Sequence, residues 1–152
     1  MIQSYLELPT LLTSNSANVN FPTDSPRTRG ANCCGWLQHS EGSPSYKILE
    51  GGLYEVDFNA NVTSATTGVI ALGLYEDGVL IPGTTVIATV TTAGDYLNVA
   101  FSKKLKICGR GDTNLTVASV PSVLTGPTLP GVSTATQVPI IQNANFSITR
   151  KS

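Results

Sequence analysis

Hydrophobic and polar residues alternate with a period of two along much of this chain. The clearest case starts at Leu53, where one parity is apolar and the other polar: Tyr54, Val56, Phe58, Ala60 and Val62 against Glu55, Asp57, Asn59 and Asn61. Successive side chains of a β-strand point to opposite faces, so this pattern predicts a strand with one buried and one solvated face. The same alternation returns at Leu97–Ile107 and at Ile140–Thr149, which predicts two further strands of this kind.

A different pattern occupies Val69–Tyr75, which is apolar on both parities. Such a strand needs cover on both of its faces. Asp77 and Gly78 follow it and precede Val79–Ile81, so they predict a tight hairpin turn in which positive φ angles are required. No stretch of eleven residues has apolar positions at a helical spacing without an intervening Gly, Pro or β-branched cluster. With additional β-branched strands predicted at Val86–Thr91 and Leu115–Val120, the chain is expected to be an all-β, antiparallel sandwich.

Two regions fall outside this strand pattern. Ser14–Arg29 is polar and contains Pro22 and Pro26, so we predict an extended N-terminal arm over residues 1–29, followed by one all-β domain over residues 30–152. Pro121–Gln137 is rich in Pro, Gly, Ser and Thr and is expected to be an exposed loop between two strands.

The charge composition narrows the classes of partner. Only 12% of the residues are charged, and the formal net charge is −1. A basic surface for nucleic acid or anionic lipid is therefore not expected, and no apolar run approaches the ~20 residues that span a bilayer. Met1–Thr13 lacks the basic start of a secretion signal, so the protein is expected to be made and kept in a cytoplasm.

Few residues suggest catalysis or metal binding. The cysteines are Cys33, Cys34 and Cys108, and their spacing gives no disulfide framework; reduced thiols are favoured, and a bridge to Cys108 remains open. His39 is the only histidine. Adjacent strand residues point to opposite faces, so Cys33 and Cys34 do not suit one centre with His39. We therefore predict no catalytic residue, no metal site and no cofactor.

Two further motifs have simple structural interpretations. Arg110-Gly111-Asp112 spells an integrin-recognition tripeptide, but the glycine and the aspartate also suit a tight turn, and chance occurrence is favoured. The aromatic residues could form a platform for sugar rings, but their alternation with polar residues favours a sandwich core or an interface between protomers. Trp36, flanked by Gly35, is the aromatic residue whose exposure most needs testing.

The order of three motifs resembles the tumour-necrosis-factor and complement C1q superfamily over residues 30–150. Gly52–Phe58 resembles an aromatic and aliphatic core strand of that superfamily. Leu74–Gly83 resembles the hairpin that follows it. Leu105–Val117 resembles a strand, a Gly-Asp turn and a strand near the C-terminus, and Phe146–Ile148 lies where the last strand ends. The resemblance implies a jelly roll (TNF/C1q-like) and a homotrimer in which one sheet of each copy packs around the three-fold axis.

The resemblance also implies an interface. The residues expected in the trimer interface or the core are Tyr54, Val56, Phe58, Leu97, Val99, Phe101, Phe146 and Ile148. If the strand at 53–62 lies in the inner sheet, its polar parity faces neighbouring copies. A ring of carboxylates near an axis repels itself unless it is protonated or bridged by a cation, so Glu55 and Asp57 are weak candidates for an axial site. The alternative is that both carboxylates are simply solvated.

Within the superfamily the chain is most similar to small virion and prophage proteins of Gram-positive bacteria and to the C-terminal domain of collagen-like spore-surface glycoproteins. This likeness implies a structural protein, not an enzyme, that decorates a phage head as a homotrimer. The expected partner is the major capsid protein or another virion protein, and the expected location is the virion surface after assembly in the bacterial cytoplasm. The alternative is a receptor-binding module, on a tail or head fibre, that recognises a host glycan or protein.

Overall fold

The computed structural model describes residues 1–14, 17–24, 35–108, 112–121 and 137–151. These residues form twelve β-strands in two six-stranded sheets, and every strand pairing is antiparallel. No helix in the described part is long and apolar enough to cross a membrane. The strands are β1 (Ile2–Leu6), β2 (Thr10–Leu11), β3 (Thr23–Asp24), β4 (Leu37–Gln38), β5 (Tyr46–Ile48), β6 (Gly52–Thr63), β7 (Gly68–Glu76), β8 (Val79–Leu80), β9 (Val86–Val90), β10 (Leu97–Ile107), β11 (Thr113–Ser119) and β12 (Ile140–Arg150).

The chain crosses repeatedly between the two sheets. The first sheet has the order β10-β6-β12-β1-β3, with β2 also paired to β12. The second has the order β4-β5-β11-β7-β8, with β9 also paired to β7. Strands that are neighbours in a sheet are therefore often distant in sequence, as in a sandwich with Greek-key connections. The predicted all-β antiparallel sandwich is confirmed.

The core lies between the sheets and follows the predicted alternation. In β6 the apolar parity is buried and the polar parity is half-buried or exposed. Aromatic rings fill the middle of the core: Phe146 lies 5.5 Å from Phe21 and 4.7 Å from Tyr46 between ring centroids. Each large ring removes about 150–250 Å² from water, so this aromatic group contributes much of the stability of the sandwich.

The doubly apolar strand β7 is covered on both faces, as its sequence requires. Ile70, Leu72 and Leu74 join the main core. Val69 and Ala71 point the other way and pack in a second apolar cluster with Val120, Tyr75 and Leu80. The side chains of Val120, Tyr75 and Leu80 supply this outer cover. The backbone continues the sheet beside it: the Val120 amide donates to the Ala71 carbonyl at 2.8 Å, and the Gln137 amide donates to the Val69 carbonyl at 2.5 Å.

The predicted hairpin turn lies between β7 and β8. Asp77 and Gly78 have φ angles of 48° and 82°. Two consecutive positive φ angles are typical of a type I′ turn, whose twist matches the two flanking strands. This turn also holds the next hairpin in place, because Asp77 Oδ1 accepts a hydrogen bond from the Asn114 amide at 2.9 Å.

The predicted N-terminal arm is wrong for residues up to Asp24. Strand β1 pairs with β12 along its whole length, from Ile2 opposite Ile148 to Leu6 opposite Ala144, and also pairs with β3. The buried apolar residues of this region are Ile2, Leu6, Leu12, Val19 and Phe21. Their burial removes apolar surface from water within one copy, so this segment belongs to the sandwich and the boundary at residue 30 does not separate a domain from an arm. Residues 25–29 of the predicted arm lie outside the described residues.

Candidate functional site

The solvent side of the first sheet is polar over four adjacent strands. We call it the polar face; its members include Gln3, Tyr5, Glu55, Asp57, Asn59, Asn61, Asn98, Ser102, Lys104, Asn143, Asn145, Ser147 and Thr149. The strand register aligns these residues in rows. One row contains Ala100, Asn59, Asn145 and Tyr5, and the neighbouring row contains Ser102, Asp57, Ser147 and Gln3. Rows of this kind bring cross-strand side chains within contact distance.

One end of the polar face is a set of five asparagines, which we call the amide ladder: Asn59, Asn61, Asn98, Asn143 and Asn145. Asn98 Nδ2 donates to Asn61 Oδ1 at 3.0 Å and to Asn59 Oδ1 at 3.2 Å. Asn61 Nδ2 donates to Asn143 Oδ1 at 2.8 Å. The ladder continues toward β1, where Gln3 Nε2 lies 3.4 Å from Asn145 Oδ1. The side chains of three strands are thus joined in a hydrogen-bonded array.

A β-bulge sets the orientation of two members of the ladder. The register of β12 against β6 shifts between Ile141, which is opposite Val62, and Asn143, which is opposite Asn61. The extra residue, Gln142, lets Ile141 point into the core while Asn143 points to solvent. Bulges of this kind redirect side chains and often occur beside functional surfaces.

The amide ladder borders a shallow groove. Its volume is about 220 Å³, and it is lined by Tyr5, Leu6, Glu7, Asn59, Asn61, Asn143, Ala144 and Asn145. Glu7 is the only charged side chain in this lining. The groove therefore presents amide donors and acceptors with one aromatic ring, which is chemistry suited to an uncharged, hydrogen-bonding partner.

The opposite end of the polar face is charged, and it contains both predicted axial carboxylates. Glu55 Oε2 lies 2.5 Å from Lys151 Nζ, and Lys104 is opposite Glu55 in the strand register. The hydrogen bond with Lys151 holds the pKa of Glu55 below its usual range. Asp57 Oδ2 accepts a bond from Ser147 Oγ at 3.5 Å. Both carboxylates thus have partners within one copy, and an axial cation remains a prediction.

The residues predicted for the trimer interface or the core lie inside the sandwich. Tyr54, Val56, Phe58, Val99, Phe146 and Ile148 are buried in the main core, and Leu97 and Phe101 are partly buried and pack against it. Tyr54 is fixed further by its hydroxyl, which donates to the Glu50 carbonyl at 2.6 Å. Six of these residues thus belong to the core and two pack against it, and a role in a trimer interface stays a prediction.

A buried polar cluster, which sequence reasoning missed, joins the two sheets along one side. Ser4 Oγ in β1 donates to Asp24 Oδ1 in β3 at 2.5 Å. The same carboxylate oxygen lies 3.4 Å from His39 Nε2, and His39 Nδ1 lies 3.1 Å from the Ser45 carbonyl, to which it donates. The imidazole stacks on Tyr46 of β5 with 3.8 Å between centroids. The cluster therefore brings the edge of the first sheet into contact with the edge of the second.

This cluster contains the residue types of a hydrolase triad, but the contacts have a different order. In a triad the histidine lies between the serine and the carboxylate, so that it can accept the serine proton. Here Asp24 lies between Ser4 and His39. Ser4 is also fully buried, so a substrate cannot reach its hydroxyl. We interpret the cluster as a structural contact between the sheets.

Burial also affects the tyrosine of this cluster. Burial raises the pKa of Tyr46 far above its usual range, contact with the Ser4 side chain opposes the shift in part, and the nearby charge of Asp24 adds to it. The neutral phenol is therefore the stable form inside the fold. A serine at an inward position of β1 and a histidine before β5 were the signals that could have indicated a buried polar contact.

The remaining candidates from the sequence are dispersed. Asp112 Oδ2 lies 2.7 Å from Lys47 Nζ, so this carboxylate of the Arg-Gly-Asp motif has a partner in the chain; residues 109–111 lie outside the described residues. Trp36 is buried against Tyr54, with 5.4 Å between centroids, and does not offer an exposed sugar platform. Cys108 is an exposed free thiol, whereas Cys33 and Cys34 lie outside the described residues. Most of the predicted loop, residues 122–136, lies outside them as well.

No group of three or more His, Cys, Asp or Glu side chains that could hold a metal ion occurs within the described ranges. The polar face and the buried cluster are two sets of polar side chains with several contacts each. Of these two, the polar face is the exposed one, so we take it as the candidate functional surface of the described residues.

Comparison with known proteins supports the fold but no closer relationship. No protein-family model and no curated protein sequence matches the chain, so the predicted likeness to virion and spore-surface proteins has no support in sequence. The structure is similar to that of Eiger TNF from S. frugiperda, with a TM-score of 0.61 and 10% identity over 99% of this chain and 92% of that one. It is also similar to the globular domain of the zebrafish complement 1qA protein, with a TM-score of 0.52 and 12% identity over 99% of this chain and 97% of that one. The chain therefore has the TNF/C1q-like jelly-roll fold.

Proposed function

We propose that this protein is a structural component of a bacteriophage virion, a homotrimer whose jelly rolls decorate the surface of the head. The protein acts by assembly and not by catalysis. Its partners are two further copies of itself and the major capsid protein, or another protein of the particle.

The polar face carries this proposal. It is a sheet surface four strands wide, its side chains are half-buried or exposed, and no described segment of the chain lies over it. The likeness to the TNF and C1q domains makes self-association through this sheet the natural use of such a surface. The low charge of the chain fits a protein that packs closely against copies of itself, because like charges oppose the approach of identical surfaces.

A trimer that bridges neighbouring capsid subunits would bind only the assembled shell. Ligands that bind one state stabilise that state by mass action, so decoration is expected to raise the temperature at which the head releases its genome. The predicted arm no longer supplies the anchor, because residues up to Asp24 belong to the sandwich. Contact with the shell is assigned to the trimer as a whole.

The test has two parts. Light scattering on the purified protein measures its mass, which is expected to be three times the 15.9 kDa of one chain. The same sample is then incubated with phage heads from which the protein has been removed, and rebinding is measured by sedimentation. Saturable rebinding and a raised thermal stability of the heads are the expected results.

Other outcomes redirect the proposal. A monomer at all accessible concentrations would overturn the homotrimer. A trimer that ignores the heads but binds host cell walls saturably would favour the alternative function, a receptor-binding module for a host glycan or protein.

A further inference from the structure

The amide ladder has hydrogen-bonding capacity that the chain itself does not use. The side-chain nitrogens of Asn143 and Asn145 have no acceptor among the described residues, although the side-chain oxygens of both residues accept bonds. Each amide offers two donors and can accept at its oxygen. Because Asn59, Asn143 and Asn145 are exposed, these groups are available to a partner.

We propose that the amide ladder is the specificity-determining part of the contact between copies of this chain. This inference rests on the proposed homotrimer and adds to it which residues select the register. An amide surface is complementary to itself, because every side chain in it both donates and accepts. A second copy therefore satisfies the unused donors and acceptors without any new type of group.

The distribution of charge indicates that copies of the chain meet at the amide-ladder end of the polar face. The groove beside the amide ladder has Glu7 as its charged residue, whereas the far end of the polar face holds Glu55, Asp57, Lys104, Lys106 and Lys151. Around a symmetry axis each charge meets its own copies, and like charges placed opposite each other are strongly unfavourable. Copies that meet at the amide end bring fewer like charges together, with Glu7 as the charged residue of the groove, and the charged end is left at the solvated rim.

The ladder is also held in place before a partner arrives. The bonds from Asn98 to Asn59 and Asn61, and from Asn61 to Asn143, fix the side-chain rotamers across three strands. A surface that is already ordered loses less conformational entropy on association. In helical assemblies a buried asparagine fixes register and oligomer number while it lowers stability, and the ladder performs the same function on a sheet.

The first test adds a charge without changing shape. In Asn145→Asp an oxygen replaces a nitrogen, so three carboxylates meet in the trimer. We expect the dissociation constant of the trimer to rise about tenfold or more in low salt, and the loss to shrink in 1 M NaCl because salt screens the repulsion. The matched control is Thr89→Asp, an exposed position of β9 on the other sheet, which is expected to leave the trimer unchanged. Urea unfolding of both variants, compared with the wild type in the same oligomeric state, verifies that both variants fold.

The second test removes the amides and keeps an interface. In Asn59→Leu/Asn145→Leu the contact becomes apolar, so association is expected to persist while the single trimeric species is replaced by a mixture of oligomers. Analytical ultracentrifugation measures this distribution. A single trimer in this variant would overturn the specificity role.

The outcomes distinguish this inference from the proposal on which it rests. A wild-type monomer would overturn the homotrimer itself. A wild-type trimer whose dissociation constant is the same in Asn145→Asp and Thr89→Asp would leave the homotrimer intact and overturn the role of the amide ladder.

Discussion

The two sheets differ in how their outer faces meet solvent. The outer face of β7 is apolar: Val69 and Ala71 are buried there beneath Val120, with Tyr75 and Leu80 beside them. The chain thus covers this part of the face with its own side chains. The outer face of the first sheet is polar and exposed, and its groups bond to one another across the strands. The apolar cluster on the outer face of β7 is therefore buried within one copy, whereas the polar face leaves hydrogen-bonding groups exposed to a partner.

This difference determines what kind of association to expect. An interface built on an apolar patch is stabilised mainly by removal of that patch from water. An interface built on amides gains less from burial and depends on whether each donor finds an acceptor. The polar face should therefore select its partner by geometry, and small changes of its groups should alter specificity before they alter the fold.

The largest expected effect compares the inner and outer neighbours on β12. Phe146 is fully buried among aromatic rings, so Phe146→Ala is expected to lower the free energy of unfolding by about 3–5 kcal/mol. Asn145 is exposed, and Asn145→Ala is expected to change the free energy of unfolding of the monomer by less than about 0.5 kcal/mol. Urea unfolding of both variants measures the contrast. Equal losses would mean that the polar face is part of the folding core.

A matched pair of Ala→Asn changes tests the two outer faces directly. Ala71 lies on the covered face of β7, so Ala71→Asn buries an amide among apolar side chains and is expected to cost about 1–3 kcal/mol. Ala100 is exposed on the polar face opposite Asn59, where a further amide can join the ladder. Ala100→Asn is therefore expected to be neutral within about 0.5 kcal/mol. Thermal or urea unfolding measures both variants. If Ala100→Asn lowered the free energy of unfolding as much as Ala71→Asn, the two outer faces would not differ in this way.

The third prediction concerns the stability of the fold at alkaline pH and depends on Tyr46 in the buried polar cluster. Burial raises the pKa of Tyr46, so the folded state holds the phenol proton more strongly than the unfolded state does. The stability that this provides is present below the ordinary tyrosine pKa of about 10 and is lost as the pH rises above it. The free energy of unfolding of the wild type is expected to fall above pH 10, and that slope should be smaller in Tyr46→Phe. An unchanged slope would show that Tyr46 does not control the alkaline limit.

The smallest expected effect lies at the charged end of the polar face. The hydrogen bond from Lys151 lowers the pKa of Glu55, so its contribution to stability is present above the ordinary glutamate pKa and is lost as the pH falls through the lowered value. Lys151→Met should return the pKa of Glu55 toward its usual range, as measured by NMR titration of the carboxylate. The unfolding midpoint at pH 7 is expected to change little, because Lys151 is exposed, Glu55 is partly exposed, and solvent and salt screen the pair. A large change of the midpoint would mean that this pair is structural.

The sequence predicted those elements whose side-chain pattern is local. The alternation from Leu53 located β6, and the doubly apolar run from Val69 to Tyr75 predicted a strand covered on both faces, which β7 is. Asp77 and Gly78 predicted the hairpin turn because positive φ angles require such residues. In each case the residues that determine the structure lie within a few positions of one another.

The parts that sequence reasoning missed depend on distant partners. Ser4 places a hydroxyl at an inward position of β1 between Ile2 and Leu6. That hydroxyl is satisfied by Asp24, and Asp24 in turn lies beside His39 of the other sheet. The arm was predicted from the polar stretch Ser14–Arg29 with its two prolines, whose contacts with distant strands are not visible in the sequence. The amide ladder was missed for the same reason. Asn59 and Asn61 stood out on one strand, but Asn98 and Asn143 join them only once the register is known.

The placement of β1 has a consequence for how the chain folds. This strand lies between β3 and the last strand, β12, so its pairing joins residues 2–6 to residues 144–148. On a ribosome β1 emerges long before β12 and has no neighbour on that side until β12 has been synthesised. Contacts between residues so far apart in sequence also make folding slow. Completion of the first sheet should therefore be a late event in folding, and a nascent chain stalled before β12 should expose β1 to proteases and chaperones.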